Sequence, residues 1–185
     1  MPARYYSFEE KIDDNTKALI VVIDSNPFIK SYLVMDKDNG ELDSNSVSDL
    51  NKQDTELQLR WLDSILASSN AKWKIVAAHH PVYSGGEHGD TPELVERVKP
   101  LLVKYNVNMF LCGHDHDMQH IVNPESKVNY FVSGTGSKLR PTTKTPYSLF
   151  AASENGFLAV TLDKNMIRAA FIGLTGSELY SAEIK

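Results

Sequence analysis

Residues Ala18 to Ile23 read Ala-Leu-Ile-Val-Val-Ile, an unbroken apolar and largely β-branched run. A strand of this kind offers water nothing on either face, so it belongs in a sheet that is covered on both sides. Two further runs, Lys74 to Ala78 and Val107 to Cys112, read as buried strands, and a helical pattern precedes each. Thr55 to Ser68 carries Leu59, Leu62, Ile65 and Leu66 as an apolar stripe with Trp61 alongside, and Thr55-x-x-Gln58 has the form of a capping box. Pro92 to Tyr105 puts Leu94, Val95, Val98, Leu101, Leu102 and Tyr105 on one face, with Thr91 as N-cap and Pro92 in the first turn. Pro100 lacks an amide hydrogen and should weaken or kink that second helix near Glu96.

Around this helix–strand alternation the pattern is β-rich. Arg4 to Ile12 alternates loosely, Asp13-Asp14-Asn15 reads as a turn, and with Ala18 to Ile23 they predict an opening hairpin. Phe28 to Met35 reads as a short strand and Asp36 to Asp49 as a long surface loop. After Cys112 come short β segments at His120 to Val122, Asn129 to Ser133, Phe157 to Leu162, Ile167 to Gly173 and Leu179 to Ile184, with Gly134 to Tyr147 as a loop. The order predicts an α/β fold of mixed α+β character: one mixed β-sheet with flanking helices. No internal linker marks a boundary, so residues 1–185 read as part of one domain.

Composition narrows the function classes. The formal net charge is −5 and no basic stripe occurs, which argues against a nucleic-acid backbone as partner. No apolar stretch approaches the roughly 20 residues that span a bilayer. Cys112 is the single cysteine, so no internal disulfide forms, and its place at the end of an apolar run predicts a buried, inert thiol. Met-Pro-Ala-Arg-Tyr-Tyr at the start lacks the charged and apolar regions of a signal peptide.

The chemistry lies where apolar runs end. Gly113-His114-Asp115-His116 follows Val107 to Cys112, the glycine allowing a tight turn and leaving two imidazoles at i and i+2. Imidazole is the commonest neutral ligand for zinc, iron and manganese. Taken alone, a surface turn with two histidines explains the segment equally well. Ala78-His79-His80-Pro81 follows the preceding strand, at the carboxyl end where open α/β sheets hold ligands. On an extended segment His79 and His80 point opposite ways and do not serve one ion together. Tyr83 to Thr91 is glycine-rich and carries His88, and an imidazole there can donate a proton or a hydrogen bond to an anionic substrate; judged alone, His88 reads rather as a solvated loop histidine.

Taken together, Ala-His79-His-Pro-Val-Tyr-Ser, Glu-His88-Gly-Asp-Thr and Leu-Cys-Gly-His114-Asp-His116 resemble, in order and spacing, the C-terminal half of a purple acid phosphatase. The likeness is to the tartrate-resistant type within the calcineurin-like metallophosphoesterases. It implies half of a four-layer α/β/β/α sandwich, hydrolysis of phosphate monoesters, two metal ions (iron with zinc, manganese or iron) and an exported protein. By the same resemblance His79 and His114 bind one metal, His116 binds the second, and His88 lies beside the substrate phosphate. His80, His120 and Asp115 fall outside the motif positions and read as structural.

The departures matter as much. The family's Gly-Asp-x-Gly, Gly-Asp-x-x-Tyr and Gly-Asn-His segments do not occur here; the one Gly-Asp is Gly89-Asp90, followed by Thr91. Without a bridging carboxylate, imidazoles alone hold two dications poorly, so these residues by themselves are expected to turn over weakly or not at all. One sheet without its partner would also expose an apolar inner face, which predicts self-association or docking to the missing half. Two other readings stay open: a non-catalytic α/β fragment or partner-binding module, and a mononuclear zinc hydrolase using His79, His114 and His116 with Glu87 as base.

Overall fold

The computed structural model describes residues 2–32 and 50–185. Strand β1 (Tyr6–Lys11) and strand β2 (Lys17–Val22) form the expected antiparallel hairpin. Beyond it, Asn26–Phe28 is a 3-10 turn and residues 30–32 are helical, not extended. Asp24 Oδ1 accepts the Asn26 N–H (3.0 Å) and Pro27 has a fixed φ, so the chain turns where apolarity alone suggested a strand. The remainder of that expected strand and all of the expected loop at 36–49 lie outside the described residues.

Helix α1 (Thr55–Ser68) has the expected span, but the cap is Asp54, whose carboxylate accepts the Leu57 N–H (3.0 Å). Gln58, freed from a capping role, exchanges hydrogen bonds with both backbone groups of Asp24 (2.8 and 3.0 Å) and ties α1 to the chain leaving β2. Strand β3 (Trp73–Ala77) follows. The second helix is broken at Val98 into α2 (Pro92–Arg97) and α3 (Lys99–Lys104), since Pro100 cannot donate to Glu96. Then come β4 (Met109–Cys112), β5 (Met118–Val122), β6 (Asn129–Ser133), β7 (Ser148–Ala152), β8 (Gly156–Leu162), β9 (Ile167–Gly173) and β10 (Glu178–Ile184).

Seven strands form a mixed sheet in the order β1-β2-β3-β4-β6-β5-β7, with β2, β3, β4 and β6 parallel. Alternation along the central strands sends side chains to two cores. Leu19, Val21, Val76, Phe110 and Val132 meet Leu62, Leu66, Leu94 and Leu102 of the helices. Ala18, Ile75, Met109 and Phe131 face the other way and meet Ile167, Ala169, Phe171 and Ile184 of a second, three-stranded antiparallel sheet, β10-β9-β8.

That second sheet corrects the expectation of an open inner face. The last three strands fold back and cover Ala18, Ile75 and Met109, each no more than 3% exposed. Strand β7 was also unforeseen: Ser-Leu-Phe-Ala-Ala has no β-branched residue, and its pairing with β5 supplies what local propensity does not. Cys112 is buried as expected; its Sγ donates to the Phe131 carbonyl, and burial, then Asp115 and Asp117, push its pKa upward.

His120 lies in the inter-sheet layer, its ring stacked on Phe131 at 4.1 Å. Nε2–H donates to Asn129 Oδ1 and Nδ1 accepts from the Tyr180 hydroxyl, both at 2.9 Å, so the neutral ring is fully satisfied. Burial, partly opposed by Asn129, lowers its pKa to about 4. In the unfolded chain the ring takes a proton near pH 6.5 and in the folded chain only near 4, so stability is lost as pH falls through that window. The loss reaches about 3 kcal/mol. Urea titrations between pH 7 and 4 should show it, and His120→Gln should flatten the profile; an equally steep profile in that variant would refute the assignment.

Candidate functional site

The site gathers at the carboxyl ends of β3 and β4. The Gly113 N–H donates to the His79 carbonyl (3.1 Å), which sets the two histidine turns side by side. The tight turn after β4 falls on His114, whose φ of 67° lies in the left-handed region, rather than on Gly113. A non-glycine residue held there carries backbone strain, a state that surrounding bonds must impose. Gly134 makes it possible: a Cβ there would lie 1.9 Å from the Asp115 carbonyl oxygen.

His79 Nε2 and His114 Nδ1 are 3.1 Å apart. Nitrogens bound to one tetrahedral zinc at about 2.05 Å stand roughly 3.3 Å from each other, so the pair is already spaced for a cation. Burial lowers the pKa of both rings; the neighbouring His116 adds to this at His79, and His88 and His79 at His114. Both therefore offer lone pairs rather than positive charge.

His80 departs from its expected place outside the cluster. Residues 79 and 80 form a bend, so the extended-chain argument for opposite directions fails, and ligand atoms of His79, His80 and His114 lie within 4.8 Å of one another. Its nitrogens are nevertheless engaged, Nδ1 with Ser25 Oγ (2.8 Å) and Nε2 with the Tyr32 hydroxyl (3.0 Å). Burial first, then the charges of His114, His79 and His88, drive its pKa down to about 3, so the ring stays neutral. His80 braces the cluster from behind.

His116 stands apart from that group. Its Nδ1–H donates to the Lys138 carbonyl (2.6 Å), which fixes the tautomer and leaves Nε2 with the lone pair, the way a ligating histidine is commonly held by its other nitrogen. His88 packs against His114 with ring centroids 4.3 Å apart and the rings tilted by 34°. The donor set fits one borderline-soft cation at His79 and His114; a second ion would draw on His116 and on oxygen ligands that this cluster does not include.

Beneath the histidines lies a polar network that the sequence did not disclose. Ser84 Oγ donates to Asp115 Oδ2, the His88 N–H donates to Asp115 Oδ1 (3.0 Å), and Gln119 Nε2 donates to Ser84 Oγ and to the Asp117 carboxylate at 2.9 Å. Asp115, Asp117 and Gln119 are fully buried, and burial first of all raises the Asp117 pKa. Gly86 packs onto both carboxylates, where a Cβ would come within 2.7 Å of Asp117 Oδ2. The network clamps the His88 loop to the histidine turn. Its signal was the alternation His114-Asp115-His116-Asp117, in which the acids turn inward as the histidines turn out.

A cavity of about 440 Å³ opens beside these rings, lined by His80, His88 and His114 and by Ile29, Tyr32 and Pro92.

The calcineurin-like phosphoesterase family model matches residues 2–118. Purple acid phosphatase 17 of Arabidopsis thaliana is 35% identical over 164 residues, 85% of this chain and 48% of that protein. Tartrate-resistant acid phosphatase type 5 of Homo sapiens is 35% identical over 137 residues, 69% of this chain and 42% of that protein. Among solved structures, GAP50, the anchor in the inner membrane complex of Plasmodium, superposes with a TM-score of 0.76 at 22% identity, covering 100% of this chain and 55% of that one. A purple acid phosphatase from yellow lupin (Lupinus luteus) seeds gives 0.71 at 18%, covering 97% and 32%. The chain thus spans about half the length of the relatives it matches. With the family match extending over more than half of the chain, and the three histidine segments set along one edge of its mixed sheet, this protein belongs to the calcineurin-like phosphoesterase family.

Proposed function

We propose that this chain is the C-terminal portion of a dinuclear metal phosphomonoester hydrolase of the acid phosphatase type. The observation that carries the reading is the 3.1 Å approach of His79 Nε2 to His114 Nδ1 at the carboxyl edge of a parallel sheet. In this reading His79 and His114 hold one ion, His116 contributes to the second, and His88 lies beside the phosphate. The pair is iron with zinc, manganese or iron, as in the purple acid phosphatases the chain resembles. When bound, such ions polarise the phosphoryl oxygens and lower the pKa of a coordinated water.

The remaining ligands come from a further portion of the kind that the longer relatives possess. That portion docks where apolar side chains remain open, at Phe157 (57% exposed) on edge strand β8 and at Leu174 (81%). The 185 residues alone then turn over slowly at best. The test is hydrolysis of an aryl phosphate monoester with added iron, zinc or manganese, by this chain alone and joined to the upstream half of a relative. The joined protein should be active, and His114→Ala should reduce its rate by about 100-fold or more, as the loss of a direct metal ligand entails. A joined, metal-loaded protein indifferent to His114→Ala would exclude the site.

A further inference from the structure

The segment between β6 and β7, in sequence a plain connection, runs back across both histidine loops. The Arg140 N–H donates to the His116 carbonyl (3.1 Å), the Thr143 N–H to the Gly85 carbonyl (3.0 Å), and Ser153 Oγ to the Arg140 carbonyl (2.6 Å). These bonds hold the Arg140 backbone between the turn that carries His116 and the loop that carries His88. Its guanidinium then makes two contacts: Nη1 donates to His88 Nε2, and Nε pairs with Glu87 Oε2 at 3.2 Å. Because the His88 ring packs tilted against His114, with centroids 4.3 Å apart, a guanidinium stands one imidazole away from the nitrogens spaced for a cation.

A guanidinium is a planar fork of donors that matches two oxygens of a phosphate group. Besides His88, what it meets here is a single carboxylate, held through Nε alone, whose side chain is 60% accessible, a pairing that water screens and weakens. A phosphate monoester brings more charge and more acceptor oxygens than Glu87 does. Resting on the phosphoester hydrolase reading, the geometry points to Arg140 as the residue that receives the substrate's phosphate, with Glu87 as an internal carboxylate that occupies the fork until the phosphate displaces it. His88, bonded to the same guanidinium, is thereby held beside the same anion. The arrangement favours terminal phosphates, which are dianionic at neutral pH, over diesters, which offer one charge.

The test is calorimetric titration of the zinc-loaded chain with inorganic phosphate at low salt, with zinc affinity measured separately for each variant. Arg140→Ala should weaken phosphate binding by about 10-fold or more, the scale of a lost charge-assisted hydrogen bond, and Arg140→Lys should recover part of it. Glu87→Gln lies on the exposed side of the pair and should tighten phosphate by about 2- to 5-fold, because it removes the competitor. Zinc affinity should be the same in all three. Phosphate affinity in Arg140→Ala within about twofold of the parent, a weaker phosphate complex in Glu87→Gln, or a parallel fall in zinc affinity with Arg140→Ala would each overturn the assignment. Failure of the parent chain to take up zinc would instead count against the metal reading. The contrast between Arg140→Ala and Glu87→Gln, read by NMR on the metal-free chain at millimolar phosphate, then still decides the clamp.

Discussion

Phe171→Ala is expected to lower the unfolding free energy by about 3–5 kcal/mol, the range for emptying a fully packed aromatic site. Phe171 is 0% exposed on β9, the middle strand of the small sheet. Its ring stacks on Phe150 at 5.4 Å and lies 6.1 Å from Phe131, so it joins the second sheet to the first. Against a typical total of about 5–15 kcal/mol, a loss of that size removes a large share of the stability of the chain. A shift of the urea midpoint at unchanged slope is the readout. Phe157→Ala, on the same sheet but 57% exposed, should stay within about 0.5 kcal/mol of the parent. A loss below about 1 kcal/mol for Phe171→Ala would mean that the small sheet is not packed on the large one as described.

That experiment bears on what the sequence left open. The buried parallel strands, the helix over Thr55–Ser68 and the break around Pro100 were legible because each rests on local chemistry: β-branched apolar runs, a 3.6-residue stripe and a missing donor. The segments that became β8, β9 and β10 were legible as strands, but not that they form a sheet of their own over Ala18, Ile75 and Met109. Strand pairing is a non-local choice, and the alternation of Ile167, Ala169 and Phe171 shows that a face is buried without saying against what. Asp54, not Thr55, caps the helix because the two differ by one position in a pattern that specifies ends only to within a residue or two.

The site divides in the same way. His79 and His114 stood out because histidine after an apolar run is chemically conspicuous, and the fold brings them together. Ser25, Tyr32, Ser84, Gln119 and Arg140 are ordinary residues in their own segments. They acquire a role only when the chain sets Ser25 and Tyr32 against His80, Ser84 and Gln119 beneath the loop, and Arg140 beside His88. Asp115 falls outside the motif positions, and its carboxylate holds the Ser84 hydroxyl and the His88 amide.

The proposed metal site gives the last prediction. Replacing either His79 or His114 by alanine should lower affinity for the first zinc ion by about 100-fold or more. Loss of a residue that only supports a ligand already removes about 10- to 100-fold, and in the proposed site these two nitrogens would face the ion directly. His116→Ala should leave that first affinity within a few-fold, since it lies outside the group formed by His79, His80 and His114. The pH dependence follows from the lowered pKa values: both rings remain neutral below the ordinary imidazole value of about 6.5, so protons compete poorly and zinc affinity should hold its plateau below that pH. Competition with a chromophoric chelator reads the affinities, and cobalt(II) absorption reads the geometry. If His116→Ala lost as much as His114→Ala, all three imidazoles would serve a single ion and the mononuclear zinc site would be the better description. If neither His79 nor His114 mattered, their 3.1 Å contact would be an ordinary hydrogen bond between two neutral rings.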